Sequence, residues 1–372
     1  MKHPSAYLDW YVRVPKLRHD LRSSGLMALR YKVALGEVDL SVNYDHGNPE
    51  TARLLANRYG TGISNMFVSS EGASGQNART IRYLAETNPD RTEAVVEYPT
   101  YEPLLRQVQE HFSRVRRLER KEEEGYRLDA QALEKLVSEK TGLLLITNPH
   151  APSGSAANAS ELNEVMRVAR EFGFFVVCDE IYAEFNRKAV PTLFSIDPEY
   201  GIVTTSFTKA YGLGGLKLGA ALAQKKIVEG LYADMLNTVG NSPNVVQLLA
   251  SEILAKGMEV LERHKEKWEP LKRMTERWLN EQEIEYSPNR LGVTYWIRLP
   301  VEDTYRWVNS HTIPQFSLAV VPGAFFQFGD GYEIAKSDRA RIGLGNIDPD
   351  KQDLCEALDN MENALKTRRP NA

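Results

Sequence analysis

The chain has 372 residues, 42% of them hydrophobic and 26% charged, with a formal net charge of −4. That length predicts two to three domains, or one large α/β domain with a satellite, and the composition argues against global disorder. The slightly acidic balance excludes a strongly basic nucleic-acid binder, and no apolar run approaches the roughly 18 residues of a membrane span.

The first 21 residues are charged throughout, which does not match a secretory signal. Two cysteines, Cys178 and Cys355, cannot build a disulfide framework. The expectation is a soluble protein of a reducing, cytoplasmic compartment. The chain carries no P-loop, H-E-x-x-H, C-x-x-C or G-x-S-x-G motif, and its scattered histidines give a metal site little support. Residues 212–219 (GLGGLKLG) fail the G-x-G-x-x-G spacing.

In chain order, short apolar runs at Phe67–Ser70, Glu93–Val96, Gly142–Ile146, Phe174–Cys178 and Gly201–Thr205 predict buried strands. Helical spacing appears between them at Ala78–Ala85 and at Ser160–Phe172, where Ser160 is the expected N-cap. The alternation predicts a mostly parallel sheet covered by helices over about residues 40–225. Beyond Leu231 the rhythm changes. One long helix is expected near Val245–Trp278, then strands at Val293–Leu299 and Leu318–Val321 and a last helix at Lys351–Lys366. The expected fold is α/β with a smaller α+β domain. Its divisions are an N-terminal arm (1–39) joining the small domain, a large domain (40–230) and a small C-terminal domain (231–372).

In an open parallel sheet, ligands bind beyond the carboxyl ends of the strands. The residues following each strand therefore carry the functional signal. Glu71-Gly72-Ala73-Ser74-Gly75-Gln76-Asn77 leads into a helix whose N-terminus favours an anion. Tyr98-Pro99-Thr100-Tyr101 and Thr147-Asn148-Pro149-His150-Ala151-Pro152-Ser153-Gly154 follow the next two strands. Asp179-Glu180-Ile181-Tyr182 ends an apolar run with an acid, which is costly to desolvate without a cationic partner. Ser206-Phe207-Thr208-Lys209 places a lysine directly after a buried strand, where it can lose its proton and act as an amine nucleophile.

Taken together, these segments resemble the fold-type I pyridoxal phosphate enzymes, specifically the class I/II aminotransferases, over about Leu21–Gly345. The resemblance implies pyridoxal 5′-phosphate as cofactor. It makes Lys209 the Schiff-base lysine and proton shuttle, Asp179 the partner of the pyridine nitrogen, and Tyr182 the donor to the ring phenolate oxygen. Tyr101 would stack on the ring, and Asn148 belongs to the same cofactor set. The phosphate would rest on the amides of Ala73, Ser74 and Gly75, with Ser206, Thr208 and Lys217 around it. Tyr44 resembles the tyrosine that reaches the neighbouring subunit's phosphate, which implies a homodimer with shared sites. Ala340-Arg341-Ile342-Gly343 resembles the strand carrying the substrate-carboxylate arginine, and Ser23-Ser24-Gly25 the segment whose glycine approaches the substrate.

Two positions depart from the family pattern. Lys217 stands where arginine is usual, keeping the charge but losing the planar fork. Ala151 stands where an asparagine donor is usual, leaving the contact to Tyr182 alone or to His150, Asn148 or water. The expected activity moves an amino group between an α-amino acid and a 2-oxo acid. A lyase, decarboxylase or oxidase on the same fold, or a non-catalytic cofactor-binding module, is the alternative. The aromatic residues Tyr7, Trp10 and Tyr11 of the arm are expected to pack the arm, with closure over the substrate as the alternative. Arg13, Arg18 and Arg53 are the candidate second cations for an acidic substrate.

Overall fold

The computed structural model describes residues 5–32, 36–37, 41, 47–328, 335–351 and 353–367. Its strands are β1 (His19–Ser23), β2 (Met66–Ser69), β3 (Glu93–Tyr98), β4 (Arg114–Glu119), β5 (Thr141–Thr147), β6 (Phe175–Asp179), β7 (Gly201–Ser206), β8 (Gly219–Leu222), β9 (Tyr286–Ser287), β10 (Thr294–Arg298), β11 (Leu318–Pro322) and β12 (Arg339–Leu344).

Seven of them form one sheet in the order β2-β8-β7-β6-β5-β3-β4. All neighbours are parallel except β8, which runs antiparallel to both β2 and β7. The central strands β5 and β7 are buried at every position. A strand covered on both faces reads as a continuous apolar run, which is why these strands show in the sequence. The edge strand β4 reads Arg-Val-Arg-Arg-Leu-Glu and was not expected. Charge on an edge discourages further pairing, and it also conceals the strand.

The helices labelled here are α1 (Ala6–Arg13), α2 (Pro49–Tyr59), α3 (Gly72–Thr87) and α4 (Glu102–Gln109). Two helix expectations need correction. The helix Ala159–Phe172 begins earlier than expected, because Asn158, not Ser160, is its N-cap. The Asn158 side chain accepts from Glu161 N–H, and the Glu161 carboxylate returns the bond to the cap. The long helix near Val245–Trp278 is two helices, Asn244–Glu266 and Glu269–Glu281. They break where Trp268 turns into the core and Pro270 takes a first-turn position, which suits a residue with no N–H.

The second sheet has the order β1-β11-β12-β10-β9. Strand β1 pairs in parallel with both β11 and β12, so residues from the start of the chain sit beside its last strands. Helix α1 is pinned to α4: the amides of Ala6 and Tyr7 donate to the buried Glu102 carboxylate at 2.8 and 2.6 Å. An anion at a helix N-terminus satisfies orphan donors there and complements the dipole.

Candidate active site

Asp179 is the last residue of β6 and is 6% exposed. Its Oδ2 accepts from Asn77 Nδ2 at 2.7 Å, and its Oδ1 from Ile181 N–H at 3.0 Å. Asn77 is itself held by the Thr204 hydroxyl at 2.6 Å. Burial pushes the carboxyl up to about 6, against the opposing pull of these two donors and of Lys209. A buried acid so placed is short of positive charge.

Lys209 follows β7. Its Nζ donates to Ser24 Oγ at 3.2 Å, and Ser24 also works against the rise that burial imposes on the Tyr182 hydroxyl. Burial lowers the amine's proton affinity, assisted by Arg341 and Lys217 and opposed by Tyr7 and Asp179. The main chain of Lys209 is clamped as well, since Leu26 N–H donates to its carbonyl at 2.8 Å. Gly25 permits this approach, because a Cβ there would lie 2.9 Å from Lys209 Cδ and 3.0 Å from its Cα. Gly345 closes the same junction, where a Cβ would fall 1.6 Å from the Gly25 carbonyl oxygen.

Helix α3 starts at Gly72, whose φ of +66° is one that glycine adopts freely. The first-turn residues Ala73, Ser74 and Gly75 present the helix N-terminus. The Lys217 stem passes this point, its Cδ 3.8 Å from where a Gly72 Cβ would sit, with Ser206 Oγ at 3.9 Å. The Ser206 hydroxyl donates to the Leu218 carbonyl at 2.7 Å and accepts from Thr208 N–H at 3.2 Å. The helix N-terminus, the Ser206 side chain and the Lys217 stem thus lie side by side, and first-turn amides of a helix suit an oxyanion.

Arg341 lies on β12 and is 3% exposed. Its Nη2 donates to the Tyr7 hydroxyl at 3.1 Å and to the Arg22 carbonyl at 3.0 Å. Its buried Nε has no hydrogen-bond partner, and the hydrogen bonds of its guanidinium among the described residues go to a hydroxyl and a carbonyl rather than a carboxylate. Its guanidinium sits 5.1 Å from the Phe326 ring centre, and the Tyr7 ring meets Tyr101 edge-on at 5.2 Å. Tyr101 is pushed up by burial and lies within the field of Tyr7, Tyr182, Arg341 and Asp179.

Four more expectations meet the geometry here. The Asn148 amide is used within its own loop: Oδ1 accepts from Ala157 N–H at 2.9 Å and Nδ2 faces the Ala157 carbonyl at 3.4 Å. His150 is engaged at both nitrogens, by Ser153 Oγ at 2.7 Å and the Pro99 carbonyl at 2.8 Å. Arg13, Arg18 and Arg53 pair on the surface with Asp9, Glu356 and Glu50. Tyr44 lies outside the described residues.

Ser24, Tyr7 and Asn77 carry direct contacts to this cluster that the sequence reading did not assign. Tyr7 does more than pack the arm. The only sequence signal for Ser24 was its place in the Ser-Ser-Gly segment.

Residues 41–358 match the family model described as aminotransferase class I and II. A Bacillus subtilis (strain 168) protein named as an aminotransferase, YugH, is 28% identical over 299 residues, covering 76% of this chain and 74% of its own length. Aromatic-amino-acid aminotransferase 2 of Thermococcus litoralis is 26% identical over 258 residues, covering 67% of this chain and 63% of its own. A pyridoxal phosphate-dependent aminotransferase from Streptococcus suis superposes with a TM-score of 0.84 at 20% identity, covering 100% of both chains.

Proposed function

The chain belongs to the class I and II aminotransferase family and is a pyridoxal phosphate-dependent aminotransferase, and from that premise we propose which of its residues carry the reaction. The carrying observation is the half-buried Lys209 amine and the buried Asp179 carboxylate, at or just past the ends of the adjacent strands β7 and β6, with the Arg341 guanidinium, which no carboxylate among the described residues pairs, acting on the same amine. The donor set fits the cofactor: a cation-poor acid for the ring nitrogen, an amine for the aldehyde and an anion cradle for the phosphate. Bound pyridoxal phosphate supplies the carbonyl and the electron-withdrawing ring that amino transfer requires.

The chain's own residues do the rest. Asp179, oriented by Asn77 and Ile181 N–H, holds a proton on the ring nitrogen. Lys209 would hold the aldehyde carbon through Nζ with loss of water and, once the substrate amine has displaced it, would take and return the Cα proton at Nζ, a task suited to an amine whose proton affinity burial has lowered. Tyr182 donates to the ring oxygen, and Tyr101 flanks the ring face. The amides of Ala73 and Ser74 would hold the phosphate with Ser206, Thr208 and Lys217, whereas the Gly75 N–H already donates to the Glu71 carbonyl at 3.3 Å. Asn148 contributes by shaping its loop. Arg341 receives the substrate carboxylate, for which a fork with a free Nε is suited, and Gly25 brings its backbone close to the substrate.

The same reading makes the enzyme a cytoplasmic homodimer in which Tyr44 of the partner subunit completes each phosphate site. The free cysteines Cys178 and Cys355 support a reducing compartment. The exposed side chains of Leu236, Val239 and Val245 are apolar surface of the kind that association covers. We also keep the division into an arm (1–39), a large domain (40–230) and a small domain (231–372), supported by the two separate sheets.

Borohydride treatment of the cofactor-loaded protein, followed by peptide mapping, tests the assignment. A pyridoxyl group on Lys209 is expected, and its absence there overturns it. An amino acid should bleach the visible band stoichiometrically and a 2-oxo acid should restore it. Turnover without that exchange would favour a lyase, decarboxylase or oxidase instead.

A further inference from the structure

We propose that Ser24 is a positioning residue whose hydroxyl holds the Lys209 amine and so sets where the amine keeps its proton. The proposal rests on the reading of Lys209 as the residue that captures the cofactor aldehyde.

The geometry carries it. Ser24 is 6% exposed, and its Oγ lies 3.2 Å from Lys209 Nζ. A hydroxyl has two lone pairs, so it can accept from the lysine. The serine is held firmly from both sides. Ser23 Oγ donates to the Gly25 carbonyl at 3.0 Å, Gly345 N–H donates to the Ser23 carbonyl at 3.0 Å, and Leu26 N–H donates to the Lys209 carbonyl at 2.8 Å. Ser24 therefore stays over the amine while the flexible lysine stem moves beneath it. Catalysis asks Nζ alternately to bind carbon and to carry a proton, and a fixed acceptor gives the freed amine a defined place between those tasks.

The other charged or titratable groups facing Nζ come from four elements: Tyr7 on α1, Asp179 on β6, Lys217 beside α3 and Arg341 on β12. None of them is altered by substitution of Ser24. In the buried surroundings of Lys209, an ammonium deprived of an acceptor loses stability relative to the neutral amine. Removing the hydroxyl therefore lowers the pH at which the amine deprotonates.

The test uses apoprotein of wild type, Ser24→Ala and Ser24→Thr. The rate at which each captures pyridoxal phosphate is followed at the visible band as a function of pH, because only the neutral amine attacks the aldehyde. The midpoint of the profile is expected to fall by about one pH unit in Ser24→Ala and to return toward wild type in Ser24→Thr. Borohydride mapping of the same samples separates the two ideas. Fixation at Lys209 with superimposable profiles for wild type and Ser24→Ala overturns the role of Ser24 alone. Failure to fix a pyridoxyl group at Lys209 in the wild type overturns both.

Discussion

The Tyr7 hydroxyl lies 3.1 Å from Nη2 of Arg341 across 334 residues of sequence, so the first helix of the chain braces the guanidinium proposed to receive the substrate carboxylate. Tyr7 is 5% exposed, and its ring is packed by Tyr101, Phe325 and Phe326.

Tyr7→Phe keeps this ring packing and removes the hydroxyl. Arg341 then retains the Arg22 carbonyl as its partner but gains one more way to turn. The expected result is a rise in KM for the amino acid of about tenfold, with a smaller change in kcat. Steady-state kinetics check it, and an unchanged KM would show that the arm does not orient the arginine.

Asp179→Asn should stabilise the apoprotein while crippling the enzyme. The carboxyl rises from an ordinary value of 3.8 to about 6 because burial penalises its charge. A raised acid contributes stability that is fully present below about pH 4 and is lost as the pH rises through about 6. At neutral pH the ionised group therefore costs the fold about 2–3 kcal/mol, which the neutral amide avoids. Urea unfolding of apoprotein at pH 7 should show a gain of that order, and the gain should vanish near pH 4. Activity should fall by about a thousandfold or more, because the ring nitrogen loses its anionic partner.

Gly25→Ala probes the clamp on Lys209. The new Cβ meets Lys209 Cδ at 2.9 Å, which a flexible stem can yield, and Cα at 3.0 Å, which it cannot. The protein should fold with a loss of about 1–3 kcal/mol and lose about a hundredfold in kcat as the amine shifts from its position. Wild-type kcat in a folded Gly25→Ala variant would contradict the close-approach account.

Ala151→Asn tests the missing donor. Asn148 is committed within its loop and His150 to Ser153 and the Pro99 carbonyl, which leaves Tyr182 as the side-chain donor to the ring oxygen among the candidates. Ala151 lines a crevice with Tyr182, Thr294 and Arg341, so an amide there faces the same place. A second donor to an anionic oxygen weakens that oxygen's hold on a nearby proton. The visible pH titration of the loaded variant should move to lower pH, and curves identical to wild type would remove the idea.

Much of the fold was readable because burial writes itself into composition. Strands β3, β5, β6 and β7 lie inside a covered sheet, so their runs of Val, Leu and Ile stand out from the flanking turns. Strand β4 did not stand out, because an edge strand must carry charge. The break at Trp268 went unread because the helical pattern on either side is continuous and the tryptophan turns inward through packing.

For the site, local order along the chain was enough to find Lys209 and Asp179. Asp179 closes an apolar strand and Lys209 follows one by three residues, positions where desolvation demands a chemical reason. Their partners are another matter. Ser24 meets Lys209 across 185 positions and Tyr7 meets Arg341 across 334, and neither pairing has a periodicity or motif behind it. Those meetings exist because β1 pairs with β11 and β12, which carries the start of the chain to the mouth of the site. Short-range pattern reports what a residue buries, whereas the company it keeps depends on how distant strands pair.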